Sequence, residues 1–362
     1  MEHNLTFLTF LLAPPLAGGL LLLLLLFKRT RRQSEKPGWF KLLILNLCSC
    51  FTLVGLSFLG GEVYYRYIYD TTDSLAYTKV SKQWVQRYCI YNSADYRDNI
   101  NYLLAKQPGV PRISFLGDSF TAGHGIKSVE DRFPNMIRAV HPEWEIHVLA
   151  KFGLDTAEEI NLLKADVAKG YNLDNVVLVY CLNDIADLFP DWHETMDAVY
   201  ADVKNAGWLR RHSFFLDILH HRYKAARDPV ISNYYFFVRD AYNGRLWELQ
   251  QMRLKALKAA VETNGGRLLV VTFPFMQSLG KDYAYREAHH ELSKFWSELD
   301  VPHLDLLNCY SNLSAEHLVV SRFDAHPNEL ANSIAAENIE AFLKTNLPAR
   351  SLLRHELPGK FR

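Results

Sequence analysis

Chemistry is most visible in this chain at Phe115-Leu116-Gly117-Asp118-Ser119-Phe120, where a short apolar run ends in a turn that displays a serine hydroxyl. Far along the chain, Phe323-Asp324-Ala325-His326-Pro327-Asn328 offers a carboxylate and an imidazole close together. A serine alone is a poor nucleophile. It needs an adjacent base, and the base needs an acid to orient it. All three residue types stand beside turn-forming residues at the edge of an apolar segment. These are the residue types that nucleophilic catalysis through a serine needs.

These residues can act together only if the fold brings them to one edge. After the break Gln107-Pro108-Gly109-Val110-Pro111 the pattern alternates between strand and helix. Strands are expected at Arg112–Leu116, Glu145–Ala150, Asn175–Cys181, Arg267–Phe273 and His303–Leu307. The third is valine-rich and nearly all apolar, which suits a central strand covered on both faces. Helices are expected at Asp131–Val140, with Pro134 in the first turn, and from Asp155 to about Lys169, where Glu158 completes a capping-box pattern. Further helices are expected at Arg245–Thr263, Tyr283–Leu299 and Asn328–Thr345. This alternation predicts an α/β domain, a parallel sheet with helices on both faces, whose sites form at the carboxyl ends of strands.

The sequence here resembles the SGNH (GDSL-type) hydrolases, over residues 111–346, about two-thirds of the chain. Gly117-Asp118-Ser119 matches the family's nucleophile segment, and Gly153 in Ala150-Lys151-Phe152-Gly153 matches its glycine after the second strand. Cys181-Leu182-Asn183-Asp184 matches its Gly-x-Asn-Asp, with Cys181 in place of the glycine. His326-Pro327-Asn328 fits the last element, but Asp324 stands two residues before the histidine where the family has three. The resemblance implies a three-layer α/β/α flavodoxin-like domain. Ser119 would be nucleophile, His326 base and Asp324 its partner. An oxyanion hole would be formed by Ser119, Gly153 and Asn183. It implies no cofactor. Asp118 reads as a turn-stabilising side chain, Cys181 as a strand-end core residue, and His124 as a neighbour of the serine turn without an assigned role. The pairs His220-His221 and His289-His290 read as solvated helix positions.

The N-terminal part is different. Leu5 to Phe27 holds 23 residues without a charge, and Leu42 to Gly61 another 20. Each is long enough to cross a hydrocarbon core of about 30 Å. Between them lie Lys28, Arg29, Arg31, Arg32, Lys36 and Lys41 against Glu35 alone. A basic loop stays cytoplasmic, which puts both chain ends outside. The expected organisation is a transmembrane hairpin over residues 1–63, a connector over 64–110, the α/β domain over 111–347 and a tail over 348–362. Within the domain, residues 185–243 interrupt the strand–helix pattern. They are rich in aromatics such as Phe189, Trp192, Trp208, Phe214, Tyr234 and Phe237, which suits a lid, a substrate platform or a helical subdomain with its own small core.

Lys+Arg and Asp+Glu are both 40, so the chain lacks the basic footprint of a nucleic-acid binder. Five cysteines show no zinc-site spacing, and no metal is expected. The expected function is that of an esterase anchored in a bacterial plasma membrane with its domain outside the cytoplasm, in contact with membrane lipid. Its substrate would be a small-molecule, lipid or carbohydrate O-acetyl ester. The alternatives are an O-acyltransferase acting on an extracytoplasmic glycan and a non-catalytic glycan-binding or assembly subunit.

Overall fold

The computed structural model describes residues 38–73, 77–280, 282–310 and 313–347, with residues 9, 12, 13, 15–21 and 24 before them. Most of the first apolar run and the tail over 348–362 therefore lie outside the described residues. Two compact units form. One takes the described residues up to Asp70 with Tyr77–Gln83 and Tyr200–Arg227. The other takes those of Thr71–Ala76 with Trp84–Val199 and the described residues from Asp228 on.

The larger unit is built on a parallel sheet. Its strands are β1 (Arg112–Gly117), β2 (Glu145–Ala150), β3 (Asn175–Cys181), β4 (Arg267–Phe273) and β5 (His303–Asp305). They are ordered β2-β1-β3-β4-β5, every neighbouring pair parallel. That is the flavodoxin-like order. β3 is buried along its whole length, as a doubly covered strand must be. The helices pair on the two faces. Phe133–Val140 packs with Glu329–Asn346, and Thr156–Ala168 packs with Arg245–Thr263. Alternate residues of β1 serve the two layers. The Phe115 ring meets Phe133 edge-on, while the Ser114 hydroxyl bonds the Tyr171 hydroxyl.

Element boundaries follow local chemistry. Asp155 and Glu158 form the expected capping box on Thr156–Ala168. β5 is shorter than its apolar run because Asp305 Oδ1 accepts the Leu307 N–H and turns the chain into the 3-10 segment Leu306–Tyr310. Two further strands, β6 (Val319–Ser321) and β7 (Asp324–Pro327), pair antiparallel outside the main sheet. The segment 185–243 is divided between the two units. Its ends join the main core through Phe189, Val238, Ala241 and Tyr242, while Tyr200–Arg227 belongs to the smaller unit.

The smaller unit centres on the helix Trp39–Val63, continued by a π-helical turn Tyr64–Ile68. Leu42–Ile68 spans 27 residues, within which an 18-residue stretch has a mean hydropathy of 2.2. At about 1.5 Å per residue it is long enough to cross a bilayer, and it is the single such helix among the described residues. Residues 15–21 are helical and touch it at Gly55, where an added Cβ would lie 3.1 Å from Pro15 Cβ. Near the end of the long helix the buried Glu62 accepts from Arg66, the Ser213 hydroxyl and the Phe214 and Phe215 N–H groups. Its carboxylate thus caps the start of the helix Phe214–Arg227.

Candidate active site

β1 ends at Gly117, and the chain turns at once into a one-turn helix, Ser119–Ala122. The turn is set by Asp118, whose carboxylate accepts the Phe120 N–H. Position 117 needs glycine because a Cβ would lie 2.3 Å from Thr121 Oγ1 and 3.0 Å from the Val179 carbonyl of β3. Ser119 therefore stands at the carboxyl end of an interior strand, 7% exposed.

β7 carries the other two groups. In a strand, residues two apart share a face, so Asp-x-His aims both side chains the same way. This is how the two-residue spacing of Asp324 and His326 brings the pair together. Asp324 Oδ1 accepts from His326 Nδ1 at 2.5 Å and from the His326 backbone N–H at 3.1 Å. On the other side of the ring, the Ser119 hydroxyl lies 2.8 Å from His326 Nε2. Asp118 Oδ2, at 3.3 Å from that hydroxyl, is the weaker acceptor. Asp324 Oδ2 accepts from the Thr72 hydroxyl and stands 3.2 Å from His124 Nδ1.

Burial disfavours a charged Asp324, but the charges and hydrogen bonds of His326 and His124 outweigh it and hold the carboxyl well below the usual carboxylate range. For His326 burial acts downward, yet Asp324 and then Asp118 raise the imidazole above its ordinary value. Burial, aided by the nearby His326, pushes His124 down. The arrangement thus holds an ionised acid, a readily protonated base and a hydroxyl in line.

The sheet order brings the strand ends that precede the remaining candidates alongside the end of β1. β2 and β3 flank β1, with Gly117 in register with Ala150 on one side and Val179 on the other. Gly153 follows β2 in the left-handed region at φ +78°, and a Cβ there would meet nothing within 4 Å. The glycine thus serves backbone conformation rather than space. Asn183, just past β3, hydrogen-bonds the Asp118 carboxylate with its amide, while its Oδ1 has no partner among the described residues. Cys181 is fully buried, and burial raises its thiol well above the ordinary value, so it stays protonated.

Three features escaped the sequence reading. Thr72 and His124 both engage Asp324, although only His124 had the visible cue of lying just past the serine turn. The third is a buried acidic group, Asp118, Glu159 and Asp184, each without exposure. Neither Glu159 oxygen has a partner among the described residues. Burial raises all three carboxyls, reinforced at Glu159 by repulsion from Asp118 and at Asp184 by repulsion from Glu159 and Asp118. The available signal was the stripe Thr156, Glu159, Ile160 and Leu163, which puts a glutamate on the inward face of its helix. One expectation is corrected. His289 is not solvated but 3% exposed, held by Asp305 at 2.8 Å and the Tyr283 hydroxyl at 3.1 Å. It falls on the inward side of Arg286–Glu298 with Ala288 and Leu292.

Glu159 carries a testable consequence. An unfolded glutamate ionises near pH 4.3 (about). The folded one holds its proton to higher pH, so its contribution to stability is full below that value and is lost as pH rises through the folded pKa. The melting temperature of the unmutated protein should therefore decline from pH 5 to pH 8, and Glu159→Gln should flatten that decline. Parallel curves for the two proteins in a thermal scan would refute it.

No family model matches the chain, and no curated protein matches it. Solved structures do. A putative lipolytic protein of the G-D-S-L family from Desulfitobacterium hafniense DCB-2 is 14% identical, over 64% of this chain and 99% of that one, at a TM-score of 0.40. The lipase/acylhydrolase from Enterococcus faecalis is 11% identical over 65% and 96%, at 0.41. A catalytic mutant of Axe2, an acetylxylan esterase from Geobacillus stearothermophilus, is 12% identical over 64% and 94%, at 0.40. At these identities and scores none of them assigns an activity to the chain.

Proposed function

We propose that the chain is a serine esterase, anchored by its N-terminal apolar helices, that cleaves acyl esters of the carbohydrate O-acetyl or lipid type outside the cytoplasm. One observation carries this reading: the unbroken line Ser119 Oγ, His326 Nε2, His326 Nδ1 and Asp324 Oδ1, with contacts of 2.8 and 2.5 Å. Ser119 Oγ attacks the acyl carbonyl while His326 Nε2 takes its proton, and the ionised Asp324 stabilises the imidazolium. The tetrahedral oxyanion is met by the backbone N–H groups of Ser119 and Gly153 and by the Asn183 amide. That amide has a second N–H beyond the one engaged by Asp118. Each such donor is worth about 3 kcal/mol in the barrier. Collapse expels the alcohol, protonated by His326. Water, deprotonated by the same imidazole, then releases the acid and frees Ser119.

Ser119 and His326 are only 7% and 9% exposed, which limits water at the acyl-enzyme. This supports a second reading, transfer of the acyl group to a sugar hydroxyl. A fluorophosphonate reagent tests the nucleophile directly. Mass spectrometry should find one adduct, on Ser119, and labelling elsewhere or none would overturn the reading. Product analysis with and without an added glycan acceptor then separates hydrolysis from transfer.

A further inference from the structure

The same corner of the fold adds to His326 and Asp324 a third donor, His124, that ester cleavage does not require. His124 Nδ1 lies 3.2 Å from His326 Nδ1 and 3.2 Å from Asp324 Oδ2, and His326 Nδ1 lies 2.5 Å from Asp324 Oδ1. The three side chains offer ligand atoms all within 4.8 Å of one another, at exposures of 1, 0 and 9%. Two histidine nitrogens and a carboxylate are a zinc-type set. Around a tetrahedral zinc with bonds of about 2.0–2.1 Å, neighbouring donors sit about 3.3 Å apart. Two of the three separations already have that length. The third is a hydrogen bond, and it opens once the proton between its partners leaves. Thr72, which donates to Asp324, orients the carboxylate from behind. Spacing along the chain hides the set, because His124 and His326 are 202 residues apart.

We propose that His124, His326 and Asp324 form an inhibitory site for a zinc-type divalent cation. The inference rests on the esterase reading for its effect on activity, but the binding site stands on geometry alone. The cation takes the Nδ1 lone pair of each imidazole. The Nδ1 protons of His326 and His124 are both released and the Nε2 of each ring takes one up, so both rings stay neutral and no net proton is exchanged. His326 Nε2–H then donates to Ser119 Oγ instead of accepting from it, and the serine loses its base. Magnesium, which requires oxygen donors, leaves the site alone.

The full chain in detergent tests this. Competition against a chromogenic zinc chelator should show one Zn²⁺ bound by the unmutated protein and by Ser119→Ala, which keeps all three ligands. His124→Phe should weaken that binding by at least about 100-fold. His124→Asn serves if the phenylalanine variant does not fold. The Co²⁺ absorption spectrum of the unmutated protein, tetrahedral in form, reads the donor set without any variant. Zn²⁺ should abolish ester cleavage reversibly, with recovery on chelation, and Mg²⁺ should not. Retained binding in the His124 variants means that the cation sits elsewhere, and overturns the site. Zinc binding without inhibition of an active esterase overturns the inhibitory role. If esters are cleaved and no zinc binds, the inference falls and the esterase reading stands. If zinc binds but no ester is ever cleaved, the esterase reading falls and the metal site stands.

Discussion

Asp324→Asn is expected to lower kcat on a short activated ester by about 10⁴-fold with KM little changed, a loss smaller than that of Ser119→Ala. The carboxylate is fully buried and receives four donors. Those are His326 Nδ1 and the His326 backbone N–H on Oδ1, and Thr72 and His124 on Oδ2. An asparagine supplies one acceptor oxygen and one donating NH₂ group in that space. If the oxygen faces His326, the ring keeps its orientation but no charge stabilises the imidazolium. If the NH₂ faces His326, the ring takes the tautomer that cannot accept the Ser119 proton. Both arrangements disable the base while leaving the ester-binding surface intact, hence the split between kcat and KM. Because serine, base and acid act as one unit, the double variant Ser119→Ala/Asp324→Asn should be no slower than the serine variant alone. A loss below tenfold for Asp324→Asn, in a protein with an unchanged melting temperature, would reduce Asp324 to a structural residue.

What was legible in the chain was whatever leaves a local trace. β3 and β4 coincide with their apolar runs because strands covered on both faces are nearly all apolar. The helix at Thr156 was marked by two side chains that bond their own backbone, and the helix at Glu329 by Asn328, which accepts the Ala331 N–H. Ser119 was visible because its turn needs Gly117 and Asp118. What was not legible depends on partners distant in sequence. Thr72 reaches Asp324 across 252 positions from a stretch with no periodicity. Glu159 and His289 have the polarity of surface residues, and only tertiary packing turns them inward. The segment 64–110 read as a connector for the same reason. Its residues Tyr96, Arg97 and Asp98 are in fact buried.

The burial of that trio leads to the last expectation. Asp98→Ala should lower the unfolding free energy by about 3–5 kcal/mol, because it strands buried cations without their counter-charge. Asp98 accepts from Arg138 at 3.0 and 2.7 Å, from the Tyr102 hydroxyl at 2.6 Å and from Asn135 at 3.2 Å, with Arg132 at 3.7 Å. It thereby ties the segment before β1 to the helix Phe133–Val140. Burial opposes its ionisation, but the hydrogen bond and charge of Arg138, with Tyr102 and Arg132, outweigh it and hold the carboxyl down to about 2. The unfolded carboxyl titrates near 3.9 (about). Because the folded value is the lower one, the contribution is present above pH 4 (about) and is lost as pH falls towards 2. It amounts to about 2–3 kcal/mol. Asp98→Asn should therefore flatten the acid limb of denaturant unfolding measured from pH 7 down to pH 3, and an unchanged limb would sink the assignment. The neighbouring Arg97 links this stability to chemistry. Its guanidinium donates to the carbonyls of Ala122, Gly123 and Ile126, the backbone that immediately follows Ser119 and carries His124. When Asp98 lets go of the Phe133 helix, the nucleophile turn loses the scaffold on which Arg97 holds it. Ester cleavage by Asp98→Ala should accordingly fall at temperatures where the variant is still folded by circular dichroism.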